Sequence, residues 1–152
     1  MLEVGHKAPP FTAPSTQGLI DLRTYLGKKP IVLIFYPKDH TPVCTRQLCA
    51  VRDAILQYSK LNAFIVGINS AGLEEHEKFT EKEHYPFPLV SDQDGLINRL
   101  YEVGQSIIPY GGQKRTVFVI GSDGLIHYAR HGSRTTDEIM EALRKAHKIV
   151  LN

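Results

Sequence analysis

Apolar residues in this chain fall into short runs and helical stripes, divided by turn formers. Ile31-Val32-Leu33-Ile34-Phe35-Tyr36 is an unbroken apolar run that predicts a strand over 31–36, buried on both faces, and Pro37 ends it. A helix over about 42–59 follows, with Val51, Ile55 and Tyr58 at helical spacing. Residues 63–68 (Ala63-Phe64-Ile65-Val66-Gly67-Ile68) predict a second buried strand. The charged stretch from about 72 to 84 predicts an exposed helix. Pro86 and Pro88 bracket a loop that leads to a short strand at Leu89-Val90. Next comes a short helix around 95–102, with Leu96, Leu100 and Tyr101 as its apolar side, and then a loop over 104–114.

Strands at Thr116-Val117-Phe118-Val119-Ile120 and Ile126-His127-Tyr128-Ala129 flank Ser122-Asp123-Gly124, a hairpin turn. The last helix, about 135–148, carries Ile139, Leu143 and Ala146 on one face. Turn formers crowd the first 28 residues, where Phe11-Thr12 and Leu19-Ile20 suit a small N-terminal hairpin. The order β-α-β-α-(β)-α-β-β-α mixes parallel crossovers with a closing hairpin. It predicts a three-layer α/β/α architecture with a central mixed sheet. In such sheets a ligand is expected where a core strand feeds a helix N-terminus.

Length and composition narrow the class. A chain of 152 residues fits one domain spanning 1–152, and 42% hydrophobic with 22% charged residues is ordinary for a globular protein. The formal net charge of +2 is too small to argue for nucleic acid. The first ten residues hold no apolar signal core, and no later run approaches the ~20 apolar residues of a membrane span. The expected location is therefore the cytoplasm, with no membrane partner. In a reducing compartment two cysteines are reactive or metal-binding more often than they form a staple. Buried structural thiols are the bland alternative.

Both cysteines, Cys44 and Cys49, lie on the helix that follows Pro37. Thr41 offers an N-cap hydroxyl, and Pro42 suits the first helical position. Cys44 then falls at the third helical position, near unpaired backbone N–H groups and the positive end of the helix dipole. Such surroundings favour a thiolate. Five residues of intact helix separate Cα atoms by roughly 8.7 Å. A disulfide needs about 4.4–6.8 Å. A bond between Cys44 and Cys49 therefore requires the helix start to unwind.

These residues resemble the peroxiredoxins. Pro37-x-x-x-Thr41-x-x-Cys44 is similar to the active-site signature of that family of thioredoxin-like thiol peroxidases. Cys49, five residues on, is similar to the resolving cysteine of the bacterioferritin-comigratory-protein type, also called peroxiredoxin Q. Val4-Gly5-x-Lys7-Ala8-Pro9-x-Phe11, Pro30 to Pro37, Phe87-Pro88-Leu89, Ser91-Asp92 and Arg115-x-x-Phe118-x-Ile120 extend the resemblance over nearly the whole chain. It implies that Cys44 is the peroxidatic nucleophile and Cys49 the resolving thiol. Thr41 would orient the peroxide, Pro37 would shield the site, and Arg115 would stabilise the thiolate and polarise the O–O bond. Gln47 stands where the wider family has an acidic or amide side chain. The resemblance further implies hydrogen peroxide and small organic hydroperoxides as substrates, and a thioredoxin- or glutaredoxin-type reductant. It implies a monomer and no cofactor. Val43 stands where the subgroup commonly has Gly and Val117 where Ser or Thr is common, changes that bear on pocket shape.

Rival readings attach to several residues. Lys114 and Arg115 could be a solvated pair at a strand start, and Arg46 is the rival cation, expected on the exposed side of its helix. His40 is expected to fill its loop rather than act as a base. No Cys-His arrangement has the usual zinc spacing, so His76, His84, His127 and His131 are expected at the surface rather than as ligands. Glu74, Glu75, Glu77, Glu81 and Glu83, mixed with Lys78 and Lys82, predict a solvated helical face. Gly111-Gly112 does not lead from a strand into a helix as a phosphate loop would. A copper-delivery module and a redox-sensing partner are the alternative functions for two thiols on this scaffold.

Overall fold

The central apolar runs form the middle of one seven-stranded mixed sheet. The computed structural model describes residues 1–109 and 111–151, so Tyr110 of the predicted 104–114 loop and Asn152 lie outside the described residues. Strands β1 (Thr12–Ser15) and β2 (Gly18–Asp21) make the N-terminal hairpin, and a 3-10 turn (Leu22–Thr24) leads to β3 (Ile31–Phe35). Then come α1 (Pro42–Asp53), α2 (Ile55–Lys60), β4 (Phe64–Asn69), α3 (Leu73–Glu83), β5 (Leu89–Ser91) and α4 (Leu96–Leu100). Strands β6 (Thr116–Ile120) and β7 (Ile126–His131) precede α5 (Thr136–Leu151). The sheet order is β2-β1-β5-β4-β3-β6-β7. β3, β4 and β5 run parallel, while β6 lies antiparallel to β3.

Alternation along β3 builds two cores. Val32, Ile34 and Tyr36 face one cluster, with Leu48 and Val51 of α1, Phe79 of α3 and Ile139, Met140 and Leu143 of α5. Ile31, Leu33 and Phe35 face the other, with Phe11, Ile97, Tyr101 and Phe118. Successive side chains of a strand point to opposite faces. A strand that is apolar at every position therefore needs a layer on each side, and the three-layer α/β arrangement follows. Aromatic rings fill the second core, with Phe118 5.7 Å from Phe35 and 5.2 Å from Tyr101, both edge-on.

Three element expectations change. The helix predicted over 42–59 is broken at Ala54 (φ −100°, ψ 11°), whose N–H turns to the Val51 and Ala50 carbonyls. Alanine is a strong helix former, so local propensity carries no trace of this break. Packing decides it: Ala54 is buried, and Val51 and Tyr58 on either side both enter the first core. The helix predicted as exposed over 72–84 presents His76 and Phe79 inward, both fully buried. On α4 the buried residues are Ile97 and Asn98, while Leu96 and Leu100 are exposed.

Replacing Phe118 by Ala removes the ring that joins Phe35 to Tyr101. The expected loss is about 3–5 kcal/mol of unfolding free energy, read from urea denaturation.

Candidate active site

β3 ends at Phe35, and Tyr36 continues its alternation into the first core, donating its N–H to the Ile68 carbonyl (3.2 Å). The chain then crosses Pro37 to Thr41 and enters α1 at Pro42, where the missing N–H of proline costs nothing. Cys44 lies in the first turn of α1 and is fully buried. Thr41 occupies the N-cap in extended conformation, yet its hydroxyl makes no cap hydrogen bond. It donates instead to the Lys38 carbonyl at 3.1 Å, correcting the cap expectation. The backbone N–H groups at the start of α1 thus keep their donors unclaimed by that side chain.

The cation arrives from the next strand. Phe35 pairs with Thr116 across the antiparallel β3–β6 ladder, so residue 115 must sit beside the end of β3. The Arg115 carbonyl accepts the Gly132 N–H at 2.8 Å, which fixes its backbone against the loop after β7. Its Nη1 donates to Cys44 Sγ at 3.1 Å. Arg46, the rival cation, is exposed. Gln47, one turn beyond Cys44 on α1, is buried, and neither its Oε1 nor its Nε2 has a hydrogen-bond partner among the described residues.

The loop carrying Pro37 is held by a buried polar network. Asp39 Oδ1 accepts from Tyr36 Oη (2.7 Å) and from Asn69 Nδ2 (3.0 Å). Its Oδ2 lies 2.7 Å from His76 Nδ1, and His76 Nε2 lies 3.0 Å from the Val90 carbonyl. Both ring nitrogens are thus engaged, one by the Asp39 carboxyl group and the other by the Val90 carbonyl. His76 is therefore neither a surface residue nor a metal ligand, but a strut between α3, β5 and the loop. Burial, and then the Asp39 carboxylate, push the Tyr36 phenol well above its ordinary range, so it stays a donor. His40 fills the loop at φ 62°, its ring 4.8 Å from Phe79 and its Nε2 3.7 Å from the Glu75 carboxylate.

A second tie comes from Gln113, which no local pattern marked. Its amide is buried, with Nε2 donating to the carbonyls of Tyr36 (3.0 Å) and Ile68 (2.7 Å) and Oε1 accepting from Asn98 Nδ2 (2.9 Å). It joins the ends of β3 and β4 to the segment that delivers Arg115. Its neighbour Gly112 has φ +72°, and a Cβ there would stand 3.1 Å from the Pro37 carbonyl oxygen and 3.2 Å from its Cβ. Pro37 forms a ridge between two open clefts. One, of about 460 Å³, is lined by Asp39, Asn69 and Glu75, and the other, of about 480 Å³, by Ile108, Lys114, Arg115 and His131.

Cys49 sits five residues after Cys44 on the same unbroken helix, and both thiols are free. Its Sγ donates to Glu83 Oε2 at 3.4 Å and lies 3.5 Å from Tyr85 Oη. The two sulfurs therefore have separate partners, Arg115 for one and Glu83 with Tyr85 for the other. Among the described residues no group of three or more His, Cys, Asp or Glu gathers to hold a metal ion, and no helix is long and apolar enough to cross a membrane.

Residues 4–129 match the sequence model of the AhpC/TSA family. The chain belongs to that family. It is 34% identical over 148 residues to peroxiredoxin Bcp of Bacillus subtilis, covering 94% of each chain. It is 39% identical over 130 residues to a Coxiella burnetii protein of the bcp type, covering 82% of this chain and 85% of that one. Among solved structures it is similar to peroxidoxin BcpB of Mycobacterium tuberculosis, with TM-score 0.86, 28% identity and coverage of 95% and 98%. It is also similar to the bacterioferritin comigratory protein of Xanthomonas campestris, with TM-score 0.80, 27% identity and coverage of 89% and 90%. The architecture is thus the thioredoxin-like α/β fold of the peroxiredoxins, and the protein is a thiol peroxidase, an oxidoreductase. Peroxiredoxins as a family use peroxide substrates and thioredoxin-type reductants.

In this peroxiredoxin the His76–Asp39 pair is buried on both sides. Replacing His76 by Leu leaves the buried Asp39 Oδ2 and the Val90 carbonyl without their shared partner, and the expected loss is about 1–3 kcal/mol in urea unfolding. A loss under about 0.5 kcal/mol would show that these two contacts do not hold the loop.

Proposed function

We propose that Cys44 is the peroxidatic nucleophile and Cys49 its resolving partner, in a chain that works as one domain. The observation that carries this reading is the 3.1 Å contact from Arg115 Nη1 to Cys44 Sγ at the start of α1. A guanidinium donor and a helix amino end both favour the sulfur as an anion, and the thiolate is the nucleophilic form.

In the first step the Cys44 thiolate attacks the terminal oxygen of a hydroperoxide, the O–O bond breaks, and the leaving alkoxide or hydroxide takes a proton. Cys44 is then a sulfenic acid. Arg115 is placed to stabilise charge as it passes from sulfur to oxygen. Thr41 spends its hydroxyl proton on Lys38, so its oxygen is left to accept the proton of the bound peroxide. Pro37, the ridge between the two clefts, limits access of water. Gln47, one turn along the helix from Cys44, would offer the bound peroxide its unpartnered amide.

In the second step the Cys49 sulfur attacks Cys44, the S–O bond breaks, a disulfide forms and water leaves. Both cysteines lie on an intact α1, so this step requires the first half of the helix to unwind. A thioredoxin- or glutaredoxin-type dithiol then reduces the disulfide by exchange. The cycle as written uses no metal or organic cofactor. The reading places a monomer in the cytoplasm, acting on hydrogen peroxide and small organic hydroperoxides.

Cys44→Ser should abolish peroxide consumption, while Cys49→Ser should consume one equivalent and stop at a sulfenic acid that a dimedone probe traps. Arg115→Gln should lower the second-order rate with peroxide about 10²–10³-fold in stopped-flow mixing. Unchanged peroxide consumption by Cys44→Ser would refute the reading.

A further inference from the structure

Glu83 and Tyr85 do more than line a groove beside the resolving thiol. Cys49 projects from α1 into a slot whose walls are the last residue of α3 and the residue two positions beyond it. Tyr85 is itself immobilised, edge-on to Phe79 at 5.1 Å and stacked on Phe87 at 5.2 Å. Arg52, one turn after Cys49, donates to the Glu83 carbonyl at 2.6 Å and lies 3.7 Å from its carboxylate. The second half of α1 is therefore tied to the end of α3.

We propose that Glu83 is the positioning residue of the second step, holding the protonated Cys49 docked and releasing it as the thiol ionises. This inference rests on the assignment of Cys49 as the resolving thiol. The S–H of Cys49 is a donor to the carboxylate, so the neutral thiol is stabilised in the slot. Once the proton has gone, the same carboxylate faces a second negative charge at the same distance, and the docked form is repelled. Docking and protonation are thus coupled through one contact. The groups facing this sulfur are the carboxylate of Glu83, the phenol of Tyr85 and the guanidinium of Arg52. Burial pushes the Cys49 thiol up, Glu83 adds to that, and Tyr85 and Arg52 work against it.

The chemistry balances without any further reagent. The proton lost from Cys49 and the hydroxyl lost from the Cys44 sulfenic acid leave together as water, one S–O bond breaking as one S–S bond forms. While Cys49 stays docked, the sulfenic acid is open to a second hydroperoxide. That reaction transfers another oxygen to Cys44, gives a sulfinic acid and releases an alcohol or water. Glu83 therefore also sets how long Cys44 is exposed to overoxidation.

The test is Glu83→Gln in the full chain, reduced, mixed with one equivalent of hydrogen peroxide and quenched with an alkylating agent over a range of pH. Mass spectrometry counts the sulfenic acid and the disulfide at each time. With the charge gone, the neutral thiol is held less firmly, so undocking no longer waits for ionisation, and the thiol ionises more readily. Resolution at neutral pH should rise about fivefold, and the midpoint of its pH profile should move down. The sulfinic fraction at high peroxide should fall. Resolution that is unchanged or slower, or faster with its midpoint unmoved, overturns the proposal. If the parent protein forms no Cys44 sulfenic acid at all, the assignment of the two cysteines fails instead, so the two failures are distinguishable.

Discussion

A single contact organises this protein: the guanidinium of Arg115 against the sulfur of Cys44. The two residues are 71 apart in sequence, and what joins them is the antiparallel pairing of β3 with β6. The register places Thr116 opposite Phe35, and the side chain one residue earlier then reaches past the strand end to the start of α1. A slip of one residue would turn Arg115 to the other face of the sheet. The apolar faces of β3 and β6 on two cores forbid that slip, so the packing of the sheet interior is also what aims the cation.

The loop between strand and helix meets a different demand. Pro37 to Thr41 must carry the chain from β3 to the buried Cys44, and a loop has no ladder of its own. Long-range polar ties take that role. Asp39 gathers Tyr36, Asn69 and His76, and Gln113 gathers Tyr36, Ile68 and Asn98. Buried polar groups of this kind are costly unless every partner is present, and at Asp39 and Gln113 each polar atom has one. The same helix must also come apart for the two sulfurs to bond. Its start carries no side-chain cap, whereas its second half is tied to α3 through Arg52 and Cys49. Rigidity of the loop and looseness of the first helical turn are therefore assigned to adjacent stretches of chain.

The legibility of these features in the sequence follows from their range. β3, β4 and β6 were readable because strands buried on both faces carry near-continuous apolar runs, interrupted only by Gly67 and Asn69 in β4 and by Thr116 in β6. The start of α1 was readable because Pro37, Thr41 and Pro42 punctuate it. His76 was hidden among the charges of α3, since a buried histidine and a solvated one look alike until Asp39 is known to lie opposite. Gln113 was silent for the same reason: its partners are 77 and 45 residues away. The break at Ala54 runs against local helix propensity and the inward turn of Ile97 on α4 is invisible to it, so both are choices of tertiary packing. The hydroxyl of Thr41 donates to the Lys38 carbonyl and accepts no cap bond, an outcome set by the loop conformation and not by the residue type.

The central claim joins a fixed cation to a helix that melts between its two sulfurs, and a pair of crystal structures tests it most directly. One is of the reduced protein and the other of protein treated with one equivalent of hydrogen peroxide. The account predicts α1 continuous through both cysteines with Arg115 on Cys44 in the first, and a Cys44–Cys49 bond with the intervening turn unwound in the second. An Arg115 side chain turned away from Cys44 in the reduced form, or oxidised protein with α1 intact and Cys49 still beside Glu83, would contradict it.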